Sequence, residues 1–496
     1  MKRLATWNDR SDSWRWAALL PLALVVGGVA SLAAARPTWL AAAAGAILFG
    51  LFAFVSLRRP HVFIVVFLVT LIVLPPLFLP RSPETRLYLS TLLLPVGAAV
   101  FLARFPDFRF RLDPVAKGLG IFLLATGLSL PFGFWLSGAE VGAAGLFRWA
   151  LLAQAALIYV LVRGAGVGCE SGPARWLMAA LMIAALFTAT SGIFDFFRPV
   201  AIPHPAAEQH IWVGGEVLRR AQGVFFEASS FANLCGFFLS VAAAAFIARN
   251  ENAVGMSRSW LWLAIPILTL AVFVAFSRSA WGNVAVTILV FAAVSKRARF
   301  WRGAGFLLAL AIPVGILWSY TPELWGYLVD ARLGNLTLLF ADPNLASSGR
   351  NETWRRVISI MLDNPQYLLF GVGYKTLPVT RLFHQEIITD NGYLNLLLET
   401  GVVGLGGFIV FSVSVLRTFL KHARSDKRNL AFWGALLFSF WCGELVQMLA
   451  ADAYTYWRNM IVFLAVMAFT MNIAEGKEPP ALRDSPDSGR PSRVTP

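Results

Sequence analysis

Charge is scarce in this sequence: only 14% of its 496 residues are Asp, Glu, Lys or Arg, against about 25% in soluble domains. Length alone would suggest about three soluble domains of roughly 150 residues. With 58% hydrophobic residues and a mean hydropathy of +0.66, too few polar groups remain to cover any water-soluble particle. Cysteine is almost missing as well. Cys169, Cys235 and Cys442 offer neither a disulfide framework nor a CxxC metal spacing. There is no GxGxxG element in a βαβ setting, which excludes a Rossmann-type domain, and no internal repeat of fixed period. His204 and His210 share one segment without a third ligand at a recognised spacing, so no metal site and no cofactor are expected.

What is abundant is long apolar runs. A helix needs about 20 apolar residues to cross roughly 30 Å of hydrocarbon, and fourteen candidate spans, with eleven as a lower bound, run from near Trp16 to near Ile473. The fold class expected is all-α, a polytopic transmembrane helical bundle with a large, partly helical outer loop. Residues 1–320 hold the first eleven spans and an outer loop near 198–228; residues 321–390 form the large loop, 391–474 the last spans, and 475–496 a disordered tail rich in Pro, Ser, Arg and Asp. The stretch Ser259–Val294 is too long for one span, since 36 residues of helix measure about 54 Å; it is expected to turn at Ser277-Arg278-Ser279. Lys2, Arg3 and Arg15 before a run ending Ala33-Ala34-Ala35 have the outline of a signal peptide. The length of the run and the many later spans favour a first span instead.

The net charge of +15 would suggest nucleic acid in a soluble chain, but a membrane protein uses Lys and Arg for orientation. With the amino terminus in the cytoplasm, 27 of the 42 Lys and Arg fall inside and 15 outside. Both termini are then cytoplasmic, and no nucleic-acid partner is expected.

Two outer connections are long, Arg198 to about Ala228 and Thr321 to about Asp390, and both keep Trp, Tyr, Leu and Ile at densities unlike linkers. Trp354, Val357, Ile358 and Met361 recur at helical spacing and meet Asp363-Asn364-Pro365, predicting a short amphipathic helix after Arg350. Cations are disfavoured outside, yet Arg219, Arg220, Arg278, Arg350, Arg355, Arg356 and Arg381 lie there. Guanidinium forks suit phosphate and diphosphate; the competing reading pairs them with Asp330, Asp342, Glu352, Asp363 or Glu386. Arg278, between two apolar runs, sits where an unpaired guanidinium is costly.

Three separated signatures on this side resemble the O-antigen polymerase and O-antigen ligase superfamily of bacterial inner-membrane glycan-assembly proteins. The first is Arg219-Arg220-Ala221-Gln222-Gly223-Val224-Phe225-Phe226-Glu227-Ala228-Ser229, entering a span. The second is the Ser277-Arg278-Ser279 turn. The third is Gly349-Arg350 and Trp354, then Asn364-Pro365, Phe370-Gly371-Val372-Gly373-Tyr374, and Asp390-Asn391-Gly392-Tyr393-Leu394 with Glu399 and Gly401. Ligases of this superfamily typically carry His-Asn where this chain has Asp390-Asn391, so the resemblance leans toward polymerisation; His384 does not match that spacing.

The resemblance implies a polyprenyl-diphosphate-linked glycan donor, a glycan or lipid acceptor and a chain-length regulator protein as partners beside the bilayer. An inverting transfer needs the departing diphosphate stabilised and the attacking hydroxyl oriented. For the first, Arg278 and Arg350 are the candidates, with Arg219 or Arg220, Arg355 and Arg356 as further contacts. For the second, Asp390 is the candidate base or orienting carboxylate, with Asn391 holding a sugar hydroxyl or the local backbone. Glu227 either binds the acceptor or pairs with Arg219. Glu444 and Gln447, one turn apart inside a span, either face a cavity or bond another helix. Tyr454, Tyr456 and Trp457 read as an interfacial aromatic belt. The rivals are a ligase capping lipid A core and a transporter or flippase, although no inverted symmetry supports the last.

Overall fold

A computed structural model describes residues 37–75, 77–79, 82–87, 89–104, 112–166, 173–198, 209–213, 216–225, 227–295, 300–320, 350–378, 380, 382–383, 387 and 389–476. The first expected span, residues 321–349, most of the tail and the residues Cys169, His204, Arg381 and His384 lie outside the described residues. The described chain is an all-α, polytopic bundle. Its helices are α1 (Pro37–Arg58), α2 (Pro60–Val73), α3 (Leu94–Arg104), α4 (Pro114–Gly127), α5 (Leu130–Ser137), α6 (Ala139–Gly164), α7 (Pro173–Phe197) and α8 (Ala228–Ala248). They continue as α9 (Arg258–Val274), α10 (Arg278–Val294), α11 (Phe300–Tyr320), α12 (Arg350–Asp363), α13 (Gly392–Ala423), α14 (Arg428–Gln447) and α15 (Trp457–Glu475). Two short antiparallel hairpins decorate the connections: β1 (Leu77–Leu79) with β2 (Ser82–Leu87), and β3 (His210–Val213) with β4 (Glu216–Arg219).

Seven helical segments among the described residues are long and apolar enough to cross a membrane: α4 with α5, α6, most of α7, α8, α13, α14 and α15. Shorter apolar helices, α2, α9 and α10 among them, pack between these. The break expected within Ser259–Val294 falls at Ala275 to Ser277, where Phe276 takes a left-handed φ of 51°. The segment of α4 with α5 is interrupted at Leu128-Ser129, just before Pro131, which a helix accepts only in its first turn.

The core runs along α8. Of its apolar window 94% is buried, against 33% for α4 with α5. Small residues permit this: a Cβ on Gly236 would meet Val284 at 2.9 Å, and one on Gly443 would meet Asn283 Oδ1 at 2.1 Å. Phe237 packs against Phe440 and Phe463 with centroids 4.8 Å apart in each pair. Within this core, Nδ2 of Asn233 and of Asn283 donate to Glu444 Oε1 and Gln447 Oε1, and Asn459 Nδ2 donates to Asn233 Oδ1. The expected Glu444 and Gln447 pair therefore joins α14 to α8 and α10.

Each end of the bundle has its own fastening. At one end Asp113 caps α4 through Ala116 N at 2.9 Å and accepts from Tyr159 Oη and from Arg163 Nε at 3.0 Å. Arg163 also donates to Asn472 and Glu475, closing α4, α6 and α15 together. At the other end buried Arg458 donates to the Leu71, Ile72 and Leu74 carbonyls at the C-terminus of α2 and to Val224 O, with Phe225 beneath it at 4.1 Å. A cation there also complements the negative end of the α2 dipole.

α13 is two helices joined at Gly401 (φ 66°, ψ −171°), a conformation open almost only to glycine. The break frees backbone groups, and residues 368–373 satisfy them. Val372 N and Gly373 N donate to the Leu398 and Glu399 carbonyls at 3.1 and 2.9 Å, while Val402 N and Val403 N donate to Leu368 O and Leu369 O at 2.8 and 3.3 Å. A Cβ on Gly371 would sit 2.3 Å from Glu399 O, which accounts for the glycines of this motif.

Candidate functional site

The end of the bundle that carries Arg458 also collects the candidate residues. The amphipathic helix expected after Arg350 is α12, which buries Val357 and Met361 against Val372, Leu377 and Leu398. Its Trp354 Nε1 donates to Thr389 O at 2.9 Å, drawing the helix start toward the chain before α13. Arg350 Nε thereby lies 3.3 Å from Asp390 Oδ2, an ion pair that stays open to solvent, with side-chain exposures of 29% and 52%. Asp390 holds a left-handed φ of 46°, a cost of about 1–3 kcal/mol that concentrates at functional sites.

Arg278, the first residue of α10, is close enough to feel the Arg350 charge. Among the described residues no side chain caps α10, so its positive N-terminal end adds to the two guanidiniums. Arg220 completes the group. Its Nε donates to Ala275 O at 2.9 Å, its Nη2 to Ser229 Oγ at 3.1 Å and its Nη1 to Gln209 Oε1 at 3.5 Å, tying the chain before α8 to the end of α9. Burial pulls the Arg220 pKa below its ordinary value, while Tyr456, Asp390 and Glu227 support its charge. Arg350 and Arg220 thus both reach the Asp390 carboxylate, and Arg278 stands within electrostatic range of Arg350, an excess of cations over carboxylate that invites a polyanion.

Other expected residues are placed elsewhere. Arg219 pairs with buried Asp195 at 3.0 Å. Asn391 turns to the local backbone: its Oδ1 accepts from Tyr393 N and Leu394 N at 3.0 and 3.1 Å as the cap of α13. Arg355 and Arg356 are exposed on the next turn of α12. Glu227 lies within electrostatic range of Arg220 and Tyr456. The aromatic-belt reading needs correction for two of its residues, because Tyr454 and Tyr456 are 1% and 7% exposed. The segment between α14 and α15 folds into the site, and burial raises both phenols well above the ordinary tyrosine range. Gln209 and Asp195 carry no motif of their own and were not expected, and Ser229 stood in the first signature without a role.

Comparison with known proteins bears on this geometry. No curated protein matches the chain. Residues 263–409 match the family model described as O-antigen ligase. That segment runs from within α9 to within α13 and contains Arg278, Arg350, Asp390, Gly371, Gly373 and Gly401, whereas Arg220 and Tyr456 lie outside it. Residues 263–409 are thus similar to the O-antigen ligase family, a likeness that implies glycan transfer, and together with the seven apolar segments it points to a multi-pass membrane protein.

Proposed function

We propose that this protein polymerises oligosaccharide repeats carried on a polyprenyl diphosphate, by an inverting, metal-independent transfer at the periplasmic face of the bacterial inner membrane. The observation that carries the reading is the convergence of Arg220 and Arg350 on Asp390, with Arg278 within electrostatic range of Arg350, on segments up to 170 residues apart in sequence. The anomeric C–O bond to the diphosphate breaks as the bond to the acceptor hydroxyl forms, and the electron pair passes to the departing diphosphate. Arg278 and Arg350, with the N-terminus of α10, stabilise that growing charge. Arg220 adds its field while holding α8 and α9 in place. Asp390, bound to Arg350 through one oxygen, presents its carboxylate to the attacking hydroxyl.

The test is a product gel from purified protein supplied with defined polyprenyl-diphosphate-linked repeats. A ladder of lengthening chains is expected; Arg278→Lys, which removes the fork, and Arg350→Ala each abolish it at normal protein levels. A full ladder from both variants defeats the diphosphate assignment. The ligase reading keeps a specific support in the name of the matched family model. It is separated by loss of the gene, which leaves single repeats on carrier or core for a polymerase and full-length chains stranded on the carrier for a ligase.

A further inference from the structure

Beside the arginine group lies a second polar cluster with a different composition. Lys375 follows the Gly371–Tyr374 turn, Asp452 follows the end of α14, and Asn395 occupies the first turn of α13. Lys375 Nζ is 3.3 Å from Asp452 Oδ2, which also accepts from Asn395 Nδ2. Oδ1 of the same carboxylate is buried and has no partner among the described residues. So is Oε1 of Glu399, a side chain 0% exposed whose Oε2 accepts from Tyr454 Oη at 3.5 Å.

The cluster is built rather than incidental. Arg148 Nη1 donates to Lys375 O at 2.6 Å, and Ser137 Oγ meets Thr380 Oγ1 at 2.7 Å, so the lysine's loop is anchored from α5 and α6. Lys375 holds a left-handed φ of 55°, and its ammonium stands 5.6 Å from the Tyr454 ring centroid. Its side chain keeps 15% exposure and that of Asp452 keeps 24%, so the cluster opens on one side while Glu399 and Tyr454 close the other. It adjoins the arginine group through Glu227, which is felt by Lys375, Tyr456 and Arg220 alike.

A purely structural ion pair gains from filling both carboxylate oxygens, because an unmatched buried acceptor is costly. Here one oxygen is buried without a partner beside an ammonium with three donors and an amide, next to an aromatic ring. That set matches a sugar: hydroxyl hydrogens for the carboxylate and hydroxyl oxygens for the ammonium. We infer that Lys375, Asp452 and Asn395 form an acceptor subsite, in which the part-exposed Asp452 carboxylate receives a hydroxyl of the incoming sugar that is not the reacting one. The inference rests on the transfer reading above and deepens it, with Asp390 kept for the reacting hydroxyl.

The test uses the full chain in lipid nanodiscs, with lipid-linked repeat held at saturation and the same repeat, released from its lipid, titrated as acceptor. Asp452→Asn and Lys375→Met are expected to raise the acceptor KM by about tenfold, the loss of one charge-assisted contact, and to leave the donor KM unchanged. Arg350→Ala acts on the donor side instead. An unchanged acceptor KM in Lys375→Met and Asp452→Asn overturns the subsite while leaving the transfer reading intact. Should Asp452→Asn fail to fold, Lys375→Met and Asn395→Ala decide the matter by the same measurement. Wild-type protein that extends no acceptor defeats the transfer reading and the subsite together.

Discussion

Arg220 and Arg350 stand on the same side of the bundle but are held in unlike ways. Arg220 donates from all three guanidinium nitrogens to three separate segments, whereas Arg350 has a solvent-open partner in Asp390. Substituting lysine at 220 keeps the charge and loses the fork, leaving Ala275 O or Ser229 without its donor. A loss of about 1–3 kcal/mol is expected, read as a lower Tm in detergent. Arg350→Ala is expected to leave Tm unchanged within error and to remove activity, so the pair of melting curves separates the two roles. Lys375 gives a pH signature. Burial works against its charge, but the Asp452 and Glu399 carboxylates outweigh this and raise its pKa above 10.5. A folded-state value above the unfolded one means that the ion pair stabilises at pH below 10.5 and is lost as pH rises through the folded value. The Tm difference between wild type and Lys375→Met is therefore expected to hold steady from about pH 7 to 9 and to close only under stronger alkali. A difference that vanishes at neutral pH contradicts the pairing.

At the scale of elements, the break at Gly401 decides where the loop docks. Alanine there would place its Cβ 2.2 Å from Leu369 O, at a φ of 66°. Gly401→Ala is expected to cost about 3 kcal/mol or more, seen as a lost monodisperse peak in size-exclusion chromatography, while Gly406→Ala, with open space around its Cβ, is tolerated. Hydropathy made the long spans, the turn before Arg278 and α12 legible, since each depends on local period and punctuation. Arg278 and Arg350 drew attention because cations on the expected outer side of a membrane protein demand a reason, and Asp390 only through its place in the family resemblance. Asp452 and Lys375 could not. An aspartate before a late span and a lysine after a glycine turn look unrelated in sequence, and only the inward fold of residues 448–456 brings the two together. The same fold buries Tyr454 and Tyr456, whose spacing suits an interfacial belt equally well. In sequence, nothing local distinguishes a stitched kink such as that at Gly401 from a helix entry.

At the scale of the whole molecule, α8, α10, α14 and α15 are keyed together by amides and one carboxylate rather than by apolar fit alone. Glu444→Gln retains an oxygen for Asn233 and Asn283 and is expected to be tolerated, whereas Glu444→Ala strips those donors of one acceptor. A cost of about 1–3 kcal/mol is expected for the alanine variant, measured as a lower Tm with unchanged helix content. Equal Tm values for the two variants would show that packing alone sets the register. The network starts about one turn beneath the residues that open α8 and α10, so register lost there is expected to displace Ser229 and Arg278 with it.

Arg458 ties the last span to carbonyls up to 387 residues earlier in the chain. During synthesis α2 enters the bilayer long before α15 exists, and its terminal carbonyls wait without that guanidinium until residue 458 has been made. Biogenesis of the working end is thus a late event: the ribosome has to deliver the closing helix before the opening ones reach their final seating.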